Sequence, residues 1–495
     1  MLKDVKSVTI VGGGTSAWFA AAFYTRNVPN VSVTLIDKEL GQPVGVGEGT
    51  LLYFENFMKR CGFTTPEWFN EVDAVFKAGI LFPRWGGQNN IVWHPFSLDK
   101  VYNRPNVQSS LYEAWTHLQK EFPFQELSAL YNESINYNSV SVGNIDSYAM
   151  HIDASKIVQF LQKKLKDKIT VIKSEVVDIT RDENSYIKSV TCLDGTVVES
   201  DVYIDCTGFK QLLQDNPDRV DLKGRLFVDT AVAGHIPYID KQSELKPYVT
   251  SQAVDHGWVW EIPVQSRIGS GLVFNRSITS IDEAKEYFCN YWDNRIKPED
   301  LKVIDWTPYY SKNQWDKNVI AIGLSAGFIE PLESTGLGTI IGQVYESARI
   351  LQCGFYTQED INLYNAIQTC VFEDCIDFVS MHYANSDWDT KFWNFVNKEI
   401  IISERHKYFA SFLQQGEKLT RDGRGWFFGG ANWNCWLCQI EKDIIPNKYI
   451  DRNTAMDIIN EWEYKRSANP FVSHIDAIND YKDYVNITLE VKEEK

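Results

Sequence analysis

The amino-terminal residues alternate between apolar runs and turn residues in an order that predicts a βαβ unit. An apolar run covers residues 5 to 11, three glycines follow, residues 15 to 27 have helical periodicity, and residues 31 to 36 form a second apolar run. A glycine turn between a strand and a helix is typical of doubly wound α/β folds. We therefore predict that the chain opens with a Rossmann-like module.

Later apolar patterns predict the organisation of the remaining chain. The segments that favour strands lie at residues 171 to 179, 190 to 198 and 202 to 204. Residues 153 to 166 favour a helix that leads into them. Residues 225 to 275 are rich in β-branched and aromatic side chains between turn residues, which is typical of antiparallel sheet. From about residue 340 the periodicity is helical, most clearly in residues 342 to 351 and 362 to 379.

Composition and charge exclude several classes of protein. With 495 residues, 44% of them hydrophobic and 23% charged, the chain is neither disordered nor collagen-like. A formal charge of −17 opposes binding to nucleic acid. No apolar run reaches the roughly 18 residues that a membrane helix needs, and the amino terminus carries no signal-peptide pattern. We expect a soluble, cytoplasmic protein.

The nine cysteines show no spacing of a disulfide framework, which favours reduced thiols. Cys435 and Cys438 are the only close pair. Without a second such pair or a neighbouring histidine they favour packed thiols over a metal site, and no metal is expected.

The glycine turn carries a dinucleotide-binding fingerprint. A GxGxxA pattern lies between the first strand and the first helix, in the residues Gly12, Gly13, Gly14, Thr15, Ser16 and Ala17. Its glycines let a pyrophosphate approach the helix N-terminus. Asp37 ends the second strand, where an acid accepts hydrogen bonds from a ribose. Together these features predict a bound dinucleotide.

Two later segments favour FAD over NAD as that dinucleotide. Residues 201 to 208, which end in Gly208, are similar to the strand and glycine turn found late in FAD-binding folds. Residues 318 to 323 are similar to the final strand before the flavin. No second GxGxxG pattern follows a strand, so no nicotinamide domain is expected. Reduced flavin would then come from a separate flavin reductase.

Two tryptophans lie two residues apart in the segment Gly257–Pro263, whose sequence is GWVWEIP. On a strand, Trp258 and Trp260 project to the same face. Two such rings either fill a sheet core or form a wall between two compartments. The pattern alone favours the core, and only the other motifs of the chain favour the wall.

Four separated segments together resemble the flavin-dependent halogenases of the tryptophan halogenase family. They are GGGTSAW at residues 12 to 18, FKAGI at 76 to 80, GWVWEIP at 257 to 263 and FIEPLESTG at 328 to 336. The resemblance runs from residue 5 to about residue 395. It implies that reduced FAD, oxygen and a halide give hypohalous acid, which then reaches a separate aromatic site.

The resemblance also implies roles for individual residues. Lys77 is the catalytic lysine, whose ammonium suits a hydrogen bond to hypohalous acid and whose amine suits capture of the halogen. Glu333 is the second catalytic group, which orients the oxidant or takes the ring proton. Thr335 and Gly336 correspond to the halide-binding backbone, at a helix N-terminus that suits an anion.

The other implied roles concern the cofactor, the substrate and the wall. The flavin is contacted by Leu324 and Leu337 and covered by a loop at residues 45 to 50 that contains Glu48 and Gly49. The aromatic substrate is stacked by the segment His94, Pro95 and Phe96. Substrate and flavin are kept apart by Trp258, Trp260, Ile262 and Pro263.

The family pattern weakens after residue 400, which leaves the substrate open. The residues with which tryptophan-specific members hold the amino acid are not recognisable, so a smaller indole or a phenol is the expected substrate. The halide is open among chloride, bromide and iodide. The aromatic segments at residues 427 to 430 and 433 to 436 are either binding surface or core. Two rival functions are a single-component flavin hydroxylase and a catalytically silent FAD-binding protein.

These observations combine into one fold prediction. We expect an α/β protein in which an FAD-binding Rossmann-like module of the flavoprotein monooxygenase type is interleaved with an antiparallel substrate-side sheet and a helical layer. The FAD module covers residues 1 to 350 discontinuously, the sheet lies around residues 85 to 150 and 225 to 300, and the helical region covers residues 351 to 495. Both a monomer and a homo-oligomer remain open.

Overall fold

The computed structural model describes residues 4–38, 47–95, 114–118, 148–215, 217–417, 427–441, 443–467 and 473–493. The chain forms two compact units, each built from three chain segments. Unit 1 consists of Met1–Ala74, Ile152–Leu222 and Trp306–Glu373. Unit 2 consists of Val75–His151, Lys223–Asp305 and Asp374–Lys495. Neither unit is therefore continuous in the sequence.

The strands are β1 (Ser7–Val11), β2 (Ser32–Ile36), β3 (Glu48–Gly49), β4 (Val75–Lys77), β5 (Gly79–Pro83), β6 (Ile91–Pro95), β7 (Ala149–Ile152), β8 (Thr170–Ile172), β9 (Val176–Arg181), β10 (Ile187–Cys192), β11 (Val197–Glu199), β12 (Val202–Asp205), β13 (Arg219–Asp221), β14 (Thr230–Ile236), β15 (Val249–Val254), β16 (Gly257–Pro263), β17 (Ile268–Phe274), β18 (Lys302–Asp305), β19 (Tyr309–Ser311), β20 (Trp315–Asp316), β21 (Val319–Ala321) and β22 (Gly327–Phe328).

The α-helices are α1 (Thr15–Asn27), α2 (Phe54–Arg60), α3 (Thr65–Trp68), α4 (Ala154–Leu165), α5 (Lys241–Glu244), α6 (Ile281–Tyr291), α7 (Thr335–Leu351), α8 (Gln358–His382), α9 (Lys391–Glu399), α10 (Glu404–Gln414), α11 (Gly430–Ile440), α12 (Arg452–Ser467) and α13 (His474–Glu493). In the part of the chain that the structure describes, no helix is long and apolar enough to cross a bilayer.

Unit 1 is built on a six-stranded sheet with the order β20-β21-β12-β1-β2-β8. Its neighbouring strands are parallel except for the edge pair β20–β21. Helix α1 contacts this sheet and is covered by α4 and α7. Its central residues, from Ala17 to Tyr24, are all buried, as expected for a helix that is apolar on every side. The predicted βαβ opening and the Rossmann-like class are confirmed.

Two predicted strands of unit 1 have wrong limits. The apolar run at residues 171 to 179 contains the end of β8 and the start of β9, which belong to different sheets. The run at residues 190 to 198 contains a hairpin between β10 and β11. Gly195 has a φ of +85° there, a left-handed conformation that closes the turn. Hydrophobicity alone does not show where the chain leaves a sheet.

The predicted helix at residues 153 to 166 is confirmed as α4. Asp153 precedes the helix with extended backbone, and its Oδ1 atom accepts hydrogen bonds from the amides of Ser155 and Lys156. These bonds satisfy two of the amides that lack a partner within the helix.

Unit 2 is built on a seven-stranded sheet with the order β18-β14-β17-β16-β15-β5-β6. Neighbouring strands are antiparallel except for the parallel pair β15–β5. Helix α6 packs on one face of the sheet over a core that includes Val232, Val259, Leu272 and Phe288. The predicted antiparallel sheet at residues 225 to 275 is confirmed, as is the helical pattern of the carboxy-terminal part of the chain.

Candidate functional site

The glycine loop of unit 1 has almost no room for side chains at its first two positions. A Cβ atom on Gly12, whose φ is +134°, would lie 2.2 Å from the carbonyl oxygen of Cys206. A Cβ atom on Gly13 would lie 2.1 Å from Cγ of Asp37. At Gly14 a Cβ atom would meet nothing within 4 Å. The loop is therefore closed toward the sheet and open on its other side, where a ligand would approach.

A cleft of about 230 Å³ lies beside this loop. Its walls include all three loop glycines, Asp37, the end of β12 and the turn after β8. Lys38 and Lys210 lie at its rim and both pair with Glu175, at N–O distances of 3.6 and 3.7 Å. A buried acid, an open glycine and a helix N-terminus match what the ribose and pyrophosphate of a dinucleotide require. The residues present therefore fit the adenosine end of FAD.

Asp37 provides a direct test of this fit. Replacing Asp37 with Ala is expected to weaken FAD binding by about 1–3 kcal/mol, because a hydrogen bond to a charged group is lost. Titration of the purified protein with FAD, followed by flavin fluorescence, measures the change. Unchanged affinity would place the ribose elsewhere.

A second group of predicted cofactor residues surrounds the end of β12. The buried carboxylate of Asp205 accepts hydrogen bonds from the amides of Thr207 and Leu213 and from the hydroxyl of Ser325. The same hydroxyl oxygen lies 3.2 Å from the carbonyl oxygen of Gly208, the second acceptor for its single hydrogen. This network places Gly208 close to the turn that contains Leu324.

The turn after β12 and the turn before Leu324 each contain a glycine with left-handed backbone. The glycine of the first turn has open space beside it, and that of the second is tightly packed. Gly208 has a φ of +72°, and a Cβ atom there would meet nothing within 4 Å. Gly323 has a φ of +69°, and a Cβ atom there would lie 2.9 Å from Cβ of Ser16 in the glycine loop. Leu324 is 38% exposed beside it. The candidate cofactor site therefore includes the open space beside Gly14 and Gly208. The contact between Gly323 and Ser16 joins the glycine loop to the turn that contains Leu324.

The backbone before helix α7 is strained at the predicted catalytic glutamate. Glu333 and Ser334 have φ angles of +62° and +55°, which are unusual for residues with side chains. Such conformations cost on the order of 1–3 kcal/mol each and persist where surrounding structure enforces them, often at functional sites. The carboxylate of Glu333 is buried. Nothing in the sequence indicates this conformation.

Helix α7 begins at Thr335, directly after the strained pair. Its first amides have no partner within the helix, and the positive end of the helix dipole adds to their attraction for an anion. Thr335 and Leu337 are buried, whereas a Cβ atom on Gly336 would meet nothing within 4 Å. The helix start therefore has the geometry of an anion site with space beside Gly336.

The loop predicted to cover the flavin is described only from Gly47 onward, and residues 45 and 46 lie outside the described part of the chain. Glu48 and Gly49 form the short strand β3 in unit 1. Burial raises the pKa of Glu48 to about 7. Its carboxyl group therefore changes charge near neutral pH, where a bound phosphate-bearing cofactor would favour the protonated form.

In unit 2, Lys77 lies on β4 and its side chain is completely buried. Strand β4 pairs with β7, with Lys77 opposite Ala149 and Val75 opposite His151. Burial lowers the pKa of His151 well below its usual value, and the charge of Lys77 lowers it further. A buried ammonium is costly unless it is held by polar groups, so this position is unlike that of a solvated surface lysine.

His94 and Pro95 end strand β6 at the edge of the seven-stranded sheet, and Phe96 lies outside the described residues. The ring of His94 lies 5.7 Å from that of Phe378. The Nδ2 atom of Asn432 lies 3.0 Å from Nε2 of His94, and an amide nitrogen can only donate. His94 is therefore held with Nε2 as an acceptor, and Asn432 is a partner that the sequence did not reveal.

Helix α11 covers the exposed edge of β6. The side-chain amide of Gln439 accepts from the backbone amide of Trp93 at 2.9 Å and donates to its carbonyl oxygen at 3.1 Å. The thiol of Cys435 donates to the same carbonyl, and that of Cys438 to the Asn434 side chain. The two cysteines are thus packed thiols of this helix, and the strand that carries His94 is fixed from the side.

The carboxy-terminal aromatic residues are mainly core. Trp433 and Trp436 are completely buried, and Phe428 is nearly so. Phe428 stacks on Phe378 with ring centroids 4.0 Å apart. Asp374, also completely buried, accepts hydrogen bonds from the amides of residues 427 and 428 and pairs with Arg405. This cluster packs against His94 through Phe378.

The two tryptophans of β16 project to the same face, as predicted, with ring centroids 6.2 Å apart. Trp258 donates from Nε1 to the hydroxyl of Tyr383 at 3.0 Å. Trp260 lies over Gly271 of β17, where a Cβ atom would come within 2.3 Å of the indole ring. Ile262 and Pro263 complete the strand, and Pro263 is buried. Each indole is therefore held in place by a specific neighbour: Trp258 by Tyr383 and Trp260 by the backbone at Gly271.

The predicted site residues thus fall into two sets. Unit 1 contains the cofactor and halide candidates together with Glu333, and unit 2 contains Lys77, the His94 segment and the tryptophan strand. The structure adds residues that the sequence did not indicate: His151, Asn432 and Gly271. Their importance depends on contacts between distant segments, for which a single sequence carries no signal.

The parallel sheet, its glycine loop and the acid at the end of the second strand define an α/β nucleotide-binding protein of the Rossmann-like class. Comparison with known proteins makes this class specific. The sequence matches the family model described as tryptophan halogenase over residues 7–457. The chain therefore belongs to the tryptophan halogenase family, and it is a flavin-dependent halogenase.

Two relatives illustrate this relationship. Tryptophan 6-halogenase ThaL of Streptomyces albogriseolus is 27% identical over 435 residues, which cover 82% of this chain and 81% of the relative. Tryptophan 7-halogenase RebH of Lentzea aerocolonigenes is 27% identical over 437 residues, with the same two coverages of 82% and 81%.

Solved structures share the fold over nearly the whole chain. The tryptophan halogenase from Shewanella frigidimarina has a TM-score of 0.84 at 23% identity, with 98% of each chain covered. Xcc4156, a flavin-dependent halogenase from Xanthomonas campestris, has a TM-score of 0.83 at 24% identity and covers 97% of this chain and 99% of that one. The predicted fold class is thereby confirmed.

Proposed function

We propose that the chain uses reduced FAD, oxygen and a halide to make hypohalous acid, and that it halogenates a small indole or phenol with Lys77 and Glu333 as catalytic groups. The observation that carries the proposal is the complete burial of Lys77. A lysine is almost never fully buried unless polar or charged groups hold it, so a chain that pays this cost at Lys77 favours a specific role for the side chain. Its position in a chain of this family makes halogen delivery that role.

Residues of unit 1 hold the cofactor and the halide in this proposal. Reduced FAD, when bound, would supply two electrons to oxygen, and the halide would give up two more as it is oxidised to hypohalous acid, with the second oxygen atom leaving as water. The open sides of Gly14 and Gly208 receive its pyrophosphate and flavin ends, and Asp37 binds the ribose. The amides of Thr335 and Gly336 bind the halide at the start of α7.

Lys77 and Glu333 act on the oxidant and on the ring. The Lys77 ammonium donates a hydrogen bond to the oxygen of hypohalous acid, which makes the halogen more electrophilic. Because the ammonium is removed from water, this interaction is stronger than it would be at the surface. As the carbon–halogen bond forms, the oxygen–halogen bond breaks, and the oxygen leaves as water with a proton from the Lys77 ammonium. The Glu333 carboxylate accepts the proton that the ring loses.

The indoles of Trp258 and Trp260 serve as the wall between cofactor and organic substrate. Their burial and their fixed contacts with Tyr383 and Gly271 support a rigid barrier. A rigid wall lets the oxidant, but not the flavin, meet the substrate. This arrangement favours halogenation over direct hydroxylation.

The substrate class follows from what surrounds His94. Among the described residues, the aromatic ring of Phe378 and the uncharged amide of Asn432 lie close to His94. Aromatic faces and a neutral amide suit a flat ring with one polar group, such as an indole or a phenol. The relatives named above are tryptophan halogenases, and free tryptophan carries a charged ammonium and a charged carboxylate, whereas these two described contacts of His94 are uncharged.

A separate flavin reductase is the proposed source of reduced FAD. The sequence contains one dinucleotide fingerprint, and unit 1 uses it in the site described above. With NADH and FAD alone the protein is expected to give no product, and addition of a flavin reductase is expected to start turnover.

A substrate and halide panel tests the function. The protein is supplied with reduced FAD, oxygen and chloride, bromide or iodide, and with indole, phenol or free tryptophan, and the products are identified by mass. Addition of halogen to indole or phenol is the expected result. Addition of oxygen would identify a flavin hydroxylase, no product from any substrate would identify a silent FAD-binding protein, and preference for free tryptophan would overturn the substrate class.

A further inference from the structure

A completely buried histidine lies on β7, the strand that pairs with the strand of Lys77, β4. His151 belongs to β7, and its Nδ1 atom lies 2.9 Å from the carbonyl oxygen of Pro263, the last residue of the tryptophan strand. A carbonyl oxygen can only accept a hydrogen bond, so Nδ1 carries the hydrogen. Burial keeps the imidazole uncharged by lowering its pKa. The Nε2 atom of His151 therefore presents a bare lone pair.

This lone pair has no hydrogen-bond partner among the described residues, although the atom is fully buried. A buried acceptor without a donor destabilises a fold, because the hydrogen bonds that it made to water are not replaced. Nε2 of His474 also lacks a partner among these residues, so what distinguishes His151 is the neighbouring strand, which carries Lys77. A donor from that strand that turns toward Nε2 during the reaction would satisfy the acceptor.

The register of the strand pair places Lys77 within reach of this acceptor. Val75 lies opposite His151, and Lys77 lies opposite Ala149, so both ionisable side chains project from the same face. Diagonal neighbours of this kind have Cβ atoms about 7–8 Å apart, a gap that a lysine side chain can span. The influence of the Lys77 charge on His151 agrees with this proximity.

We propose that His151 is a positioning residue for Lys77: its Nε2 atom accepts a hydrogen bond from the Lys77 ammonium while hypohalous acid is being delivered. One ammonium hydrogen is then directed to His151, and the remaining hydrogens point toward the oxidant. The hydrogen bond from Nδ1 to Pro263 links this position to the end of the strand that carries the tryptophan wall. The inference rests on the proposed role of Lys77 as the catalytic lysine.

Two substitutions test the roles of the two ring nitrogens of His151 separately. In His151→Asn the amide nitrogen can still donate to Pro263, but the Nε2 acceptor is lost. In His151→Gln the amide oxygen can replace Nε2, but the bond to Pro263 is weakened. We expect H151N to lower the fraction of hypohalous acid that becomes halogenated product by roughly 10- to 100-fold, and H151Q to retain most of it. Flavin oxidation should be unchanged in both.

His474 provides a matched control. It is also buried, its Nδ1 atom donates to the carbonyl oxygen of Leu245 at 3.0 Å, and burial lowers its pKa to about 4. Its ring packs against Phe76, which projects from the opposite face of β4 to Lys77. His474→Asn is therefore expected to leave the yield of halogenated product unchanged.

The possible outcomes distinguish this inference from the proposed function. If H151Q loses product and H151N keeps it, only the bond to Pro263 matters, and the positioning role is wrong. If both variants match the wild type while Lys77→Ala is inactive, the inference fails but the proposed function stands. If Lys77→Ala itself keeps full halogenation, the proposed function fails first. Thermal unfolding of each variant shows whether a loss reflects misfolding.

Discussion

Replacing Lys77 with Ala is expected to abolish halogenation of the aromatic substrate while FAD binding and flavin oxidation continue. The lysine lies in unit 2, whereas the residues assigned to the cofactor lie in unit 1. In the proposed mechanism it acts after hypohalous acid has formed, so its loss would remove only the delivery step. Removal of one donor at a desolvated reaction centre typically costs about 10²- to 10³-fold in rate, and we expect a loss of at least this size.

The experiment measures two products in the same reaction. Halogenated indole or phenol is quantified by mass, and free hypohalous acid is captured with a diffusible trap. The variant should yield trapped oxidant in place of ring product. Halogenated substrate at the wild-type rate would show that Lys77 has no part in delivery, even if the rest of the mechanism is correct.

Lys77→Met is the control for folding. Methionine fills much of the lysine volume, so this substitution leaves less of a cavity than alanine does, although the groups that hold the ammonium lose their partner. The Met variant should therefore unfold at a higher temperature than Lys77→Ala, yet be as inactive. A variant that is stable and inactive assigns the loss to chemistry.

The nucleotide-binding half of the fold could be predicted because its signals are local. The turn glycines, the apolar run of α1 and the acid after β2 all lie in one short segment. Helix α4 was predictable for the same reason, since Asp153 and the residues that it caps are adjacent in sequence. The predicted limits of the strands at residues 171 to 179 and 190 to 198 are wrong, because an apolar run does not distinguish one strand from two strands joined by a turn.

The candidate site could be predicted only in part, because its supporting contacts are non-local. Lys77 was found through a motif, but His151 depends on the pairing of β4 with β7. Asn432 contacts His94 across a sequence separation of 338 residues. Gly271 matters because the Trp260 ring occupies the space above it, which requires the register of β16 with β17.

The strain before helix α7 was hidden for a different reason. Left-handed backbone favours glycine and asparagine, and the sequence has glutamate and serine at these positions. Propensity therefore argues against the observed conformation. The strain coincides with a buried carboxylate and the start of a helix that suits an anion, which supports a functional rather than a structural reason for it.

Gly13→Ala is expected to disrupt both the fold of unit 1 and its nucleotide site. The new Cβ atom would lie 2.1 Å from Cγ and Oδ1 of Asp37, far inside the contact distance. Overpacking of this kind costs about 1–3 kcal/mol, and any shift of Asp37 that relieves it also removes the predicted ribose contact. Thermal unfolding of the cofactor-free protein and FAD titration should both show the defect.

The identity of the clashing group can be tested in a double variant. Adding Asp37→Ala to Gly13→Ala removes the carboxylate that the new methyl group meets. Stability should then recover relative to Gly13→Ala alone, although FAD binding should not. The two substitutions are thus expected to be strongly non-additive in stability. Additive losses would mean that Gly13 is required for a reason other than its contact with Asp37.

Gly14→Ala distinguishes an effect on FAD binding from an effect on the stability of the fold. Gly14 has a φ of −80°, which any residue adopts, and a Cβ atom there would meet nothing within 4 Å. The cofactor-free variant should therefore unfold at the wild-type temperature. If the pyrophosphate of FAD passes over this residue, the methyl group occupies the space it needs, and affinity should fall. Normal FAD affinity together with normal stability would show that the cofactor does not approach the helix α1 N-terminus at Gly14.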